Sequence, residues 1–294
     1  MCKKEKLSLI VSTYRSEQFL PQFFVNILGL KDLFDLEVVI IMNDPSCGEI
    51  ECIEKMLDNY CQTNLKEKIK IIKVDREPLY CSWNRGLEIS TNETILITNI
   101  DDYVYPDAIS DILRGMNKDK KFILGSGPMD TLNKDKFLLS QQQNQNIQDI
   151  HMCFISGAFV FKKNDLTRNM YFNEKYSIVA DYDFQLQALE RGGKIFFHKN
   201  SVGIYRNFQT GLSTSKGVRL TIEQQLLYLE NRIYQKLIMN TYLLYLCARI
   251  EKINPIHINN YNVKNNFALK RLLYGIYLIL KTLIHRYLIS IFKH

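Results

Sequence analysis

Short apolar runs rich in β-branched residues alternate with helix-period patterns through the first hundred positions, and this alternation leaves few folds open. Residues 6–12, 37–42 and 69–74, and the run that opens at Thr94, read as strands. Between the first two, Phe19, Leu20, Phe23, Phe24, Ile27 and Leu28 recur at helical spacing, and 49–64 and 79–90 read as the next helices. Strands joined by helical crossovers lie parallel, so the expectation is an α/β fold with a mostly parallel central sheet. Further strands are expected at 122–128, 153–161 and 194–198, with a helix from Ala180 through Arg191 and a loop over 205–213. Gln141 to Asp149 is polar throughout and reads as a surface loop.

The strands end in polar residues without glycines: Thr13-Tyr14, Asn43-Asp44, Asp75-Arg76, and Asn99 with Asp101-Asp102. Neither Gly-x-Gly-x-x-Gly nor Gly-x-x-x-x-Gly-Lys-Ser/Thr occurs, which argues against a dinucleotide enzyme and a P-loop NTPase. Ligands of open α/β sheets gather outside the carboxyl ends of the strands, so four polar ends along one edge suggest a nucleotide-sized pocket. Asp101 and Asp102 repel one another. Two readings stand: a divalent cation bound with phosphate oxygens, or a solvated turn before Pro106. Asp181 and Asp183 likewise read either as chemistry or as carboxylates placed at a helix N-terminus.

Charge divides the chain. Seven of the 38 basic side chains and none of the 31 acidic ones lie after Glu251, so the first 251 residues are balanced and the net +7 sits in the tail. A nucleic-acid binder more often spreads its basic residues over a folded face, and no nucleic acid is expected as a partner. Within 267–294, Leu273, Ile276, Leu280, Leu283, Ile284, Tyr287 and Ile291 form one helical stripe, with Lys and Arg on another sector. The longest uncharged run there, 272–280, is too short to span a bilayer. A basic amphipathic helix lying in a membrane interface is one reading, and packing of the stripe on the protein's own core is the other. The seven cysteines are odd in number and include no Cys-x-x-Cys, which fits a reducing cytoplasm. The apolar run 7–11 near the start is too short for a signal peptide.

Six segments in order carry a resemblance. They are 9–14 with Glu17; 37–46; Ser82-Trp83-Asn84-Arg85-Gly86; Asn99-Ile100-Asp101-Asp102 with Pro106; Phe172-Asn173-Glu174; and Ala180-Asp181-Tyr182-Asp183. Together they make the chain resemble a family 2 glycosyltransferase of the GT-A fold over roughly residues 5–215. Nucleotidyltransferases of related fold are less similar, because they place a Gly-rich basic loop where Thr13-Tyr14-Arg15-Ser16 stands here.

The resemblance implies an inverting, metal-dependent enzyme that uses a UDP- or GDP-sugar. Thr13, Tyr14, Glu17, Asp44, Arg85, Asn99 and Asp102 would hold the donor. Asp101 would bind Mg²⁺ or Mn²⁺, and Asp181 would be the catalytic base. Asn99 stands where the family's Asp-x-Asp begins, and Ala180 where an acidic residue usually precedes the base. No Gln-x-x-Arg-Trp motif accompanies the single tryptophan, Trp83, so one sugar per acceptor is expected. The expected organisation is a GT-A domain over 1–217 and a helical region over 218–294. The acceptor would be a lipid-linked or cell-surface polysaccharide intermediate, reached from the inner face of the cell membrane. A non-catalytic sugar-nucleotide or glycan binder of the same fold is the alternative.

Overall fold

The computed structural model describes residues 4–59, 66–133, 136–139, 153–155 and 157–207, together with 220, 223, 224, 226 and 227. The chain divides into two compact units, Met1–Gln209 and Thr210–His294; the elements below belong to the first. The expected loop at 141–149, Ser156, and the basic helix at 267–294 lie outside the described residues.

In chain order the first half holds β1 (Glu5–Thr13), α1 (Leu20–Leu33), β2 (Phe34–Asn43), α2 (Cys47–Asn59), β3 (Ile69–Val74), α3 (Leu79–Ile89) and β4 (Thr94–Ile97). Then come β5 (Tyr103–Val104), α4 (Pro106–Met116), β6 (Phe122–Ser126), β7 (Asp130–Asn133) and β8 (Lys136–Leu138). The unit closes with β9 (Phe159–Lys162), α5 (Ala180–Glu190), β10 (Lys194–Phe197) and β11 (Gly203–Arg206). Proline in the first turn of α1 and at the start of α4 suits positions where no backbone N–H is needed.

Seven strands make the main sheet, in the order β10-β6-β9-β4-β1-β2-β3. All its pairings are parallel except those of β9, which runs against β4 and β6. The expected mostly parallel α/β fold is therefore observed. From Leu7 to Thr13 β1 is buried on both faces, because both are covered. Leu7, Leu9 and Val11 join the core that includes α1 and α4, while Ile10 turns to α3, where a Cβ on Gly86 would collide with it. Gly86 thus lets α3 sit close on the sheet. Each of these fully buried aliphatic side chains contributes roughly 1.5–3 kcal/mol.

The chain runs outward from β1 to β2 and β3, then returns to β4 on the other side of β1. The crevice between β1 and β4 is the switch point where α/β sheets receive ligands. At the opposite edge Glu37 ties the sheet together. It accepts from Lys70 at 2.6 Å, from the Ser8 hydroxyl, and from Thr91 N–H and Oγ1 at 2.9 and 3.0 Å. Burial acts to raise its pKa, but these donors more than reverse that and hold it down to about 2.

A second sheet, β5-β11-β7-β8, lies beyond the strand ends. The buried Asn26 of α1 completes the pairing of β5, donating to the Val104 carbonyl at 2.7 Å and accepting its N–H at 3.0 Å. Two expectations need correction. The strand expected over 153–161 is confined to β9, because Gly157 takes φ +85° and the Phe154 N–H goes to the Gln185 side chain at 2.6 Å instead of a ladder. The loop expected from Tyr205 begins as β11, since Tyr205 pairs with Thr131 of β7.

Candidate active site

The two carboxylates after β4 behave differently. Asp102 is 4% exposed and both its oxygens are taken: Oδ2 by the Asn99 side-chain N–H at 2.9 Å, Oδ1 by the Arg206 backbone N–H at 3.1 Å. Burial and the neighbouring Asp101 charge push its pKa up to about 7, against the pull of Asn99 and Arg206. Asp101 is partly exposed. Among the described residues its carboxyl is bonded only to its own N–H, so its outer lone pairs are free. Burial raises its pKa too, and Arg206 works against that. The Arg206 guanidinium is held by Gln22 of α1. Sequence reasoning left Arg206 in a loop; nothing in the sequence pairs it with a residue a hundred positions earlier.

The loops after β1, β2 and β3 are strapped to one another. Glu49 of α2, fully buried, accepts from Ser16 N–H and Oγ at 2.9 and 2.7 Å and from Ser46 N–H at 3.4 Å. Glu17 takes the Ser46 hydroxyl, which holds its carboxyl below the usual range. Glu17 therefore ties the first loop to the second. Asp44 is exposed and sits at φ +51°, pinned by its N–H to the Val74 carbonyl at 2.9 Å. Arg15 also has positive φ, at +49°. Left-handed backbone at residues other than glycine is uncommon and clusters at ligand sites.

Thr13 is fully buried, and among the described residues its hydroxyl has no partner. Beside it Tyr14 keeps 38% of its surface open. The Arg76 guanidinium lies 3.4 Å from the ring centre and that of Arg15 5.1 Å. Arg85 is turned to Glu77 at 2.9 Å, and Glu77 in turn takes Ser82 Oγ at 2.9 Å and exchanges backbone bonds with the Asn43 side chain. Arg85 thus braces the loop after β3.

On α5, Asp181 and Asp183 occupy the first turn, and neither is the cap residue, which is Val179. Asp181 accepts the Tyr182 N–H at 2.8 Å. Burial pushes its pKa up to about 6, against the Tyr182 N–H and the Tyr80 hydroxyl. Asp183 is spent on Gln187 at 2.7 Å. The single hydroxyl proton of Tyr80, in the first turn of α3, is shared between Asp181 and the Ile178 carbonyl at 2.8 Å, so α3 joins the Asp181 region to the strand-end loops. One turn on, Asn84 donates to the Phe172 carbonyl and to Glu174, both at 2.9 Å, and accepts the Phe172 N–H at 2.8 Å. Trp83 packs against Tyr80, Phe159 and Phe172. The Ser82–Gly86 segment is therefore the brace of the site.

Among the described residues no group of three or more His, Cys, Asp or Glu is placed to hold a metal ion. A cation here would be held by Asp101 and the Asn99 carbonyl oxygen, which is left over when the amide N–H goes to Asp102. Mg²⁺ and Mn²⁺ sites of that kind take most of their other ligands from substrate phosphates and water. The donor set fits such an ion.

Residues 8–175 match the model of the glycosyl transferase family 2. The fold is similar to Staphylococcus aureus TarS 1–349 in complex with UDP-GlcNAc, at 16% identity and a TM-score of 0.62 over 92% of this chain and 79% of that one. It is also similar to the Pyrobaculum calidifontis mannosyltransferase PcManGT in complex with GDP-Man and Mn²⁺, at 13% identity and 0.60 over 94% and 88%. Against another TarS 1–349 structure the values are 17% and 0.58, and the chain spans 76% of itself and 65% of that chain. At these identities the likeness is one of fold. Curated protein sequences give no match.

Proposed function

The chain belongs to glycosyl transferase family 2, and from that premise we propose that it is an inverting, metal-assisted transferase that moves one sugar from a UDP- or GDP-sugar to a lipid-linked or cell-surface polysaccharide intermediate. The observation that carries the reading is the division of labour after β4: Asp102 is buried and bonded at both oxygens, while Asp101 beside it at the switch point is bonded, among the described residues, only to its own N–H. The similar folds of proteins seen with UDP-GlcNAc and with GDP-Man support a nucleotide-sugar donor.

In this reading the base stacks at Tyr14, Asp44 faces the nucleoside with the buried Thr13 behind it, and the diphosphate lies toward Asp101 and Asn99. A bound Mg²⁺ or Mn²⁺ would neutralise charge that builds on the leaving phosphate oxygens. The acceptor hydroxyl oxygen bonds to the anomeric carbon as the carbon–oxygen bond to the diphosphate breaks. The electron pair leaves with the nucleoside diphosphate, and Asp181 takes the hydroxyl proton. General-base help of this kind is worth about 10²–10⁴-fold in rate. With its pKa near 6, Asp181 would be largely ionised at neutral pH. Peripheral attachment on the cytoplasmic face of the membrane is part of the proposal, supported by the acid-free basic tail.

A second reading, a non-catalytic binder of sugar nucleotides, draws on Asn99 and Ala180. The Asn99–Asp102 bond speaks against it, since the amide has a job there that a carboxylate could not do. The deciding experiment is a panel of nucleotide sugars with Mn²⁺, followed by both thermal protection and release of nucleoside diphosphate. Protection with release supports the transferase, protection without release supports the binder, and neither with any sugar nucleotide sinks both.

A further inference from the structure

The small sheet ends in an edge that neither the donor grip nor the base uses. β8 is its outer strand, and Phe137, Leu138 and the adjoining Leu139 are 48%, 52% and 75% exposed. Successive strand residues point to opposite faces, so Phe137 and Leu138 are open although they face opposite ways. Among the described residues, the edge is a ridge with a half-open apolar side chain on either flank. It stands close to the carboxylates as well. Phe137 pairs with Leu132, Leu132 with Arg206, and the Arg206 N–H holds Asp102 at 3.1 Å. Two strand spacings put the ridge about 10 Å from that N–H.

We propose that this ridge is a lipid-contacting edge, in which Phe137, Leu138 and Leu139 enter the acyl region of a membrane and hold the Asp101–Asp102 end of the fold at its surface. A second copy of the chain is a poorer occupant. Side chains of this size carry roughly 150–250 Å² each when whole, so the three expose on the order of 300 Å², against about 800 Å² per partner in a stable protein interface. A rigid partner would also cover one flank and leave the other bare, whereas fluid acyl chains surround both. The inference deepens the acceptor side of the function proposed above and uses none of the donor chemistry.

The test reads lipid contact, so its failure would leave the donor assignment standing. Trp83 is the single tryptophan and is 4% exposed. Leu138→Trp therefore adds a reporter on the ridge, and Val25→Trp, at a position 54% exposed on α1, supplies the control. The full chain is mixed with phosphatidylcholine vesicles brominated on their acyl chains, in about 0.5 M salt, where charge attraction is screened within a few Å. Emission from Leu138→Trp should fall severalfold, while Val25→Trp and the unsubstituted chain stay unchanged. In co-sedimentation, Phe137→Ser, Leu138→Ser and Leu139→Ser together should cut vesicle binding severalfold with the unfolding midpoint retained. Equal quenching at both reporters, no quenching at 138, or a dimer of the native chain that the triple serine variant dissolves would each overturn the proposal.

Discussion

Asn99 donates its side-chain N–H to Asp102 at 2.9 Å, which satisfies the one Asp102 oxygen that the Arg206 N–H does not reach. A carboxylate at position 99 would turn this bond into a repulsion in a buried setting. Asn99→Asp should therefore lower stability in EDTA by about 1–3 kcal/mol, several degrees in the unfolding midpoint, and Mn²⁺ should restore much of it. An unchanged midpoint in EDTA would show that the bond contributes nothing.

Asp101 and Asp102 should part company under alanine substitution. Among the described residues Asp101→Ala removes only the carboxyl's bond to its own N–H, so turnover should vanish while the unfolding midpoint changes little. Asp102→Ala strands two donors and should lower the midpoint first, at about 1–3 kcal/mol for each donor left buried and unpaired. Calorimetry on both variants beside a turnover assay decides it; full turnover by Asp101→Ala, or by the native chain in excess EDTA, removes the metal from the mechanism.

Asp181 must be ionised to accept a proton, so with its pKa at about 6 kcat/KM should fall about tenfold per pH unit below that value. Asp181→Asn keeps the size of the side chain and its acceptor for the Tyr182 N–H. It should lose about 10²–10⁴-fold in transfer, keep donor affinity, and show no acid limb near 6. If activity persists with the limb intact, the proton goes elsewhere.

Glu37 offers a pH test of stability away from the site. Its folded pKa, about 2, lies below the ordinary 4.5. The stabilisation is therefore fully present above 4.5 and drains away as pH falls toward 2, amounting to about 3 kcal/mol at most. Glu37→Gln should weaken the fold at neutral pH and flatten the dependence across that window in urea titrations. A variant as stable as the native chain at pH 7 would mean that Lys70, Ser8 and Thr91 are equally well satisfied without the charge.

Tyr14 and Arg76 can be separated by nucleotide binding. Base–aromatic stacking is worth about 1–3 kcal/mol, so Tyr14→Ala should weaken nucleoside diphosphate binding roughly 5- to 150-fold. Arg76 covers one face of that ring, where a base would compete with it, so Arg76→Ala should leave affinity undiminished. Comparable losses in the two variants, measured by titration calorimetry, would make the guanidinium and not the ring the main contact.

The first four strands were legible because each is an apolar run, and burial on both sides of a parallel sheet demands that pattern. Their polar ends were legible for the same reason, as the points where the runs stop. The second sheet was not legible. Its strands are two to four residues long and join partners as far apart as Val104 and Gly203, so no local period announces them. Arg206 was missed with it. Glu17 and Arg85 were expected at the donor, and the structure engages their charges with Ser46 and Glu77. A charged residue near a strand end reads the same in sequence whether it grips a ligand or the next loop. Glu49 went unremarked because an acidic residue early in a helix looks like ordinary helix chemistry, and only the fold shows that it is buried.

The β5–β11 pairing also sets an order of events. Asp102 waits for an N–H that lies 104 positions later in the chain, while the Ser16–Glu49 strap closes across 33. Contacts close in sequence form sooner and at lower entropic cost. During synthesis the strapped loops can therefore take shape while the carboxylate end still lacks Arg206. A chain released before that residue would carry the main sheet and an Asp102 still short of one hydrogen-bond donor.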